Sequence, residues 1–119
     1  MNNYDEIKKL HDMLNEANIT HTFTSCMGDA GYGLGYPSYQ IIIEKDGCRL
    51  CDAIYNRISY GYEEGLLEIA GGLTEEEQEV DNVLGWLTAD EVFKRFKYCY
   101  ENNTSTYKEV KEWSIEKNQ

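Results

Sequence analysis

The chain has 119 residues, 41% hydrophobic and 28% charged, which excludes a disordered segment, a coiled coil and a collagen-like repeat and fits one globular domain over residues 1–119. Its 22 acidic residues against 11 Lys and Arg leave a formal charge of -11. Such a field repels nucleic-acid phosphates and anionic membranes and attracts basic surfaces.

Residues 1–10 carry Asp5 and Glu6 and no apolar core, and the longest aliphatic run is residues 41–43. No secretory leader or membrane span is therefore expected, and a bacterial cytoplasm is the expected compartment. In residues 3–17, Ile7, Leu10, Met13, Leu14 and Ala17 fall at helical spacing behind Asn3 as N-cap, which predicts a first helix. Ile19, His21 and Phe23 alternate with Thr20, Thr22 and Thr24, the pattern of a half-buried strand. Residues 28–37, GDAGYGLGYP, read as a loop, with Tyr32 and Tyr36 as amphipathic contact residues.

Residues 39–45 and 48–55 flank Asp46-Gly47, a pair that supplies the positive φ of a type I′ turn and predicts a hairpin. A two-residue loop sets Glu44 opposite Arg49, Ile43 opposite Leu50, Ile42 opposite Cys51 and Ile41 opposite Asp52. It also gathers Tyr39, Ile41, Ile43, Leu50 and Ile54 on one core face. Residues 58–62 and 66–70 are expected to extend the sheet. Thr74 with Glu77 and Thr88 with Glu91 are capping boxes. The second opens a helix over residues 89–101 that buries Val92, Phe93, Phe96, Cys99 and Tyr100 and leaves Lys94, Arg95 and Lys97 in water, with Leu87 and Val92 as a hydrophobic staple. A third box at Thr106 and Glu109 favours a helix over residues 107–115. The expected fold is α+β, an antiparallel meander of four or five strands with an N-terminal helix and C-terminal helices on one face.

Catalytic signatures are missing. Gly31, Gly33 and Gly35 lead into a proline and a strand rather than a helix, so no phosphate loop is expected. Cys48 and Cys51 have metal spacing, but the second ligand pair is lacking and strand residues three apart face opposite sides. With Cys26 and Cys99 they are expected as free, independent thiols, Cys51 beside Ile42. His21 is expected at the core edge and His11 on the first helix. No cofactor, metal or catalytic residue is assigned, and the chain is read as a non-enzyme.

Ten carboxylates and no Lys or Arg lie between Arg57 and Lys94: Glu63, Glu64, Glu68, Glu75, Glu76, Glu77, Glu79, Asp81, Asp90 and Glu91. Such a run is either a solvated, solubilising face or a surface that offers carboxylates where a basic partner expects phosphates. The second reading assigns partner contacts to Glu63, Glu64, Glu68, Glu75, Glu76, Glu79, Asp81, Tyr32 and Tyr36. Trp86 serves it as an aromatic anchor, or else is a core residue locking the helix junction.

Asn, Ile, Lys and Tyr are abundant, while Pro occurs once and Arg three times, the bias of an AT-rich genome. In size, acidity and composition the chain resembles accessory proteins of bacteriophages and prophages, the anti-CRISPR and other anti-defence inhibitors above all. That resemblance implies a noncatalytic inhibitor occupying the nucleic-acid groove of an effector nuclease, with no direct nucleic-acid or membrane binding. Two further classes remain: an adaptor or structural protein, and a sequestering protein for a nucleotide messenger. The latter needs a basic pocket, for which Arg49 and Arg57 near Tyr55, Tyr60 and Tyr62 are the candidates.

Overall fold

The structure, a computed structural model, describes residues 4–27 and 37–109. Helix α1 (Asp5–Glu16) buries Ile7, Leu10 and Leu14 and starts at Tyr4 with no side-chain cap; Asn3, the expected cap, lies outside the described residues. It stops because Asn18 takes a left-handed φ of 59°, so that the Ile19 amide reaches the Leu14 carbonyl at 3.0 Å and the Asn18 amide that of Asn15 at 3.1 Å. Ile19 and Leu14, both buried, close that stop. This use of Ile19 is why strand β1 spans Thr22–Met27 rather than beginning at residue 19.

Strands β2 (Pro37–Lys45) and β3 (Cys48–Tyr55) form the expected hairpin, with positive φ at Asp46 and Gly47 and Glu44 opposite Arg49. Beyond that pair the register departs from expectation. A bulge leaves Leu50 extra, so Ile43 faces Cys51, Ile42 faces Asp52 and Ile41 faces Ala53. Leu50 and Cys51 are both buried, and Ile54, expected in the core, turns to the opposite face.

Residues 58–62, expected as a strand, form a turn instead. Asn56 Oδ1 accepts from the Ile58 amide at 3.0 Å, Ser59 Oγ accepts from the Asn56 amide at 3.0 Å, and a 3₁₀ turn follows at Tyr62–Glu64. Asn and Ser side chains here compete with the ladder for the backbone. Strand β4 (Leu67–Ala70) pairs with β3, and a strand not foreseen, β5 (Val83–Leu87), pairs with β4. The sheet is an antiparallel meander in the order β1-β2-β3-β4-β5, so the fold is α+β as expected.

Helix α2 (Glu75–Val80) and helix α3 (Ala89–Asn102) both begin with the expected capping boxes. α1 and α3 pack on the face that carries Ile41, Ile43, Ala53, Leu67 and Ile69, with Leu87, Val92 and Phe96 in the same core. Glu6 joins the two helices by accepting from the Ala89 amide at 2.7 Å. After α3 the chain runs alongside residue 73: Leu73 and Thr106 form a parallel bridge, and the buried Tyr107 donates its amide to the Leu73 carbonyl at 2.9 Å. Thr106 is therefore not a helix cap, and residues 107–109 are not helical; the rest of that expected helix lies outside the described residues. No helix among the described residues is long and apolar enough to cross a membrane.

Candidate interaction surface

Because α1 and α3 take one face of the sheet, the side chains alternating with the core positions line the other. Pairing places Gln40 opposite Ile54 and Ile54 opposite Glu68, with Asp52 two residues before Ile54 on the same face. At the β3–β4 end of this face lie three exposed apolar side chains: Ile58 at 60%, Tyr60 at 47% and Trp86 at 55% of full exposure. Trp86 is thus no core residue. Its ring stacks on Tyr60 with centroids 5.4 Å apart and planes 5° from parallel.

Trp86 holds a left-handed φ of 59°, a conformation costly to any residue with a Cβ. The preceding Gly85 permits the approach, since a Cβ there would lie 2.2 Å from the Tyr60 Cβ. The Trp86 amide donates to the Tyr60 carbonyl at 3.4 Å, and the Tyr60 amide donates to Glu68 Oε1 at 2.8 Å. Two aromatic rings and a carboxylate are thereby fixed together by backbone contacts, with Glu63 and Glu64 exposed on the 3₁₀ turn that follows Tyr60.

The acidic residues do not form a single field. Glu75, Glu76 and Glu79 project from α2 and line a separate groove of about 780 Å³ with Tyr98, Asn102 and Lys108. Trp86 lies three residues beyond the start of β5, about 10 Å along the strand from the end nearest α2. Asp81, between α2 and β5, accepts the Asn82 amide. Tyr32 and Tyr36 lie outside the described residues.

Besides Glu68 and Asp81, three more carboxylates of the run have partners. Glu77 pairs with Arg95 at 2.8 Å, Asp90 with Lys9 at 3.3 Å, and Glu91 caps Thr88 at 2.8 Å. Arg95, expected in water, has only 13% of its side chain exposed and also donates to the Gly72 carbonyl. The Arg95 guanidinium, followed by the Thr74 amide, holds the Glu77 carboxyl below the usual carboxylate range.

Other candidates are resolved by their surroundings. Arg49 sits at the hairpin end of β3 and Arg57 past its other end, roughly 20 Å away along the strand, so they do not converge on one anion. Tyr55 is buried and donates its hydroxyl to the Tyr62 carbonyl at 2.9 Å. Cys51 is not beside Ile42 and not independent. It donates its S–H toward Cys99 of α3, which raises the Cys51 pKa and lowers that of Cys99, while Cys48 is exposed. Cys26 lies among the side chains left undescribed.

The two histidines form a relay that sequence reasoning missed. His21 Nδ1 must donate to the Ile19 carbonyl at 2.8 Å, which leaves its Nε2 to accept from His11 Nδ1 at 2.8 Å, while His11 Nε2 accepts from Asn15 at 3.3 Å. Burial, then the neighbouring His21, lowers the His11 pKa. Among the described residues no group of three or more His, Cys, Asp or Glu is placed to hold a metal ion.

Ile58 also escaped the sequence analysis, and Tyr60 entered it only beside a basic pocket rather than as the partner of Trp86. The signal that pointed to this region was the acidic run; the aromatic partner of Trp86 lies 26 positions away and is joined to it only by the fold. No protein-family model, curated protein or solved structure matches the chain.

Proposed function

We propose that the chain is a noncatalytic, anti-CRISPR-like inhibitor of phage or prophage origin that docks on the basic nucleic-acid groove of a bacterial defence nuclease. The observation that carries this reading is Trp86, held with positive φ, 55% exposed and stacked on Tyr60, whose amide holds the Glu68 carboxylate, with Glu63 and Glu64 exposed on the turn that follows Tyr60. Backbone strain with an exposed aromatic platform marks functional surfaces, and Trp and Tyr are the side chains that most often supply binding energy at protein interfaces. The carboxylates steer the encounter with a basic groove and repel nucleic acid itself.

The test is DNA cleavage by a panel of purified, guide-loaded CRISPR effector nucleases titrated with the protein. At least one effector should lose activity, association should slow between about 50 and 300 mM salt as exposed charges are screened, and Trp86→Ala should restore cleavage. Full cleavage by every effector at saturating protein would sink the reading.

A further inference from the structure

We propose that His11 and His21 form an acid-opened latch that holds the border strand β1 against helix α1. The His11 ring is where the helix meets this strand: its centroid lies 4.9 Å from that of His21, just before β1, and 4.5 Å from that of Phe23 within it. β1 has only β2 beside it in the sheet, and Thr22, Thr24 and Ser25 are exposed. A strand with one partner and few buried side chains belongs to the weakly held part of a fold.

The hydrogen bonds dictate where the protons sit. The Ile19 carbonyl can only accept, so His21 carries its proton on Nδ1, and in the neutral ring Nε2 is then a bare acceptor. His11 Nδ1, 2.8 Å away, must supply the proton to it, which leaves His11 Nε2 bare in its turn and facing the Asn15 amide at 3.3 Å. All three bonds are made with both rings neutral.

The pair has room for one more proton and not for two. A first can go on His11 Nε2 once the Asn15 amide turns its oxygen toward the ring. A second would have to sit on His21 Nε2, where two N–H groups and two like charges would meet at 2.8 Å. The surroundings do not offset that repulsion. Burial, and then His21, disfavour charge on His11; Asp12 favours it and Lys8 opposes it, and these last two are themselves paired at 3.5 Å on α1. β1 carries no charged residue, and β2 presents the phenol of Tyr39 behind Phe23, with ring centroids 6.4 Å apart. Among the described residues, no charge on α3 acts on His11.

Acid therefore favours a state in which the two rings part and each imidazolium reaches water. The bond from His21 Nδ1 to the Ile19 carbonyl survives protonation, since Nδ1 donates in either form. The break falls between α1 and β1, where it uncovers Phe23 and leaves the strand to its ladder with β2 alone.

Two measurements on the parent and two variants test the latch. Imidazole ¹⁵N–¹H correlation spectra at pH 7.5 should show the Nδ1–H tautomer for both rings. Native-state amide exchange, corrected for the intrinsic rate at each pH, should show the β1–β2 ladder less protected than the β3–β4 ladder, the mark of local opening. Between pH 7.5 and 5.5 the β1–β2 protection should fall about tenfold, because the parted rings take up protons near the ordinary 6.5 and the closed pair resists them. His11→Gln and His21→Gln should each lose most of that pH dependence, since a glutamine amide turns either a donor or an acceptor to the ring that remains. An Nε2–H tautomer on either ring at pH 7.5, equal protection in the two ladders, β1–β2 protection that does not change with pH, or the parent's pH dependence retained in both variants overturns the proposal. The tautomers and the exchange of the parent decide the matter if neither variant folds.

Discussion

Arg95 and Glu77 meet fork to fork, Nη1 on Oε1 at 2.8 Å and Nη2 on Oε2 at 3.0 Å, and this pair ties the short helix α2 to α3. Arg95 also lies over the ring of Tyr107, 5.0 Å from its centroid, so the same guanidinium pins the segment after α3. Glu77→Ala removes both the charged fork and half of a capping box and should cost about 2 to 3 kcal/mol of stability. Arg95→Lys should lose more than half as much, since an ammonium does not reproduce the fork. Urea midpoints measure both. The folded pKa of Glu77 is depressed, so its contribution is complete above the ordinary 4.5 and vanishes as pH falls through the folded value. Below about pH 4.5 the parent should therefore lose stability more steeply than Glu77→Gln.

The histidine relay gives a second acid response in a separate window. The folded pKa of His11 lies below its ordinary 6.5, so as pH falls the unfolded chain takes up the proton first. Stability should be at its plateau above about pH 6.5 and decline below it, and His11→Gln should flatten that decline. Denaturant midpoints at neutral and mildly acidic pH, with the two imidazole Cε1 proton signals followed by NMR, test this. A parent curve as flat as that of the variant would refute it.

At Trp86 the fold and the surface have opposed interests. Glycine relieves a left-handed backbone worth about 1 to 2 kcal/mol and forfeits a ring stack of similar size. Trp86→Gly should accordingly leave the melting temperature within a few degrees of the parent while weakening partner binding by at least about tenfold. A variant that binds as the parent does would remove Trp86 from the interface.

How much of this was legible follows from which residues speak locally. Asp46-Gly47 and the Glu44–Arg49 pair fixed the hairpin tip, and the threonine caps fixed both helix starts, because turns and caps are decided within four residues. The bulge at Leu50 was hidden because Leu50 and Cys51 are both apolar and either suits a core face. Residues 58–62 alternate like a strand, and only the Asn56 and Ser59 turn, a matter of side-chain geometry, overrides the pattern. β5 was missed because a glycine and a left-handed tryptophan disguise five residues that pair only through tertiary contact. Acidity marked the region of the candidate surface, while the Tyr60 platform needed the fold.

The cysteines offer a direct check on packing. Cys48 is exposed, whereas Cys51 and Cys99 are at most 1% exposed and face each other across β3 and α3. An aromatic disulfide reagent should label Cys48 in native protein and reach Cys51 and Cys99 only after denaturation, since packing shuts both sulfurs off from the reagent. Peptide mapping after labelling separates the sites. Labelling of Cys99 at the native rate of Cys48 would mean that α3 does not rest on the sheet as described.

Strand β5 closes one border of the sheet, with β4 as its single neighbour. An unfinished border of this kind is a template on which identical chains can stack into fibres. Here the template is interrupted: the β4–β5 register shifts between Leu67 and Ile69, and the left-handed Trp86 turns the backbone out of the extended path one residue before the strand ends. Amides and carbonyls along that border therefore do not present the even repeat that a second copy would need. The tryptophan that leaves its ring in solvent is also the residue that breaks the template at this edge.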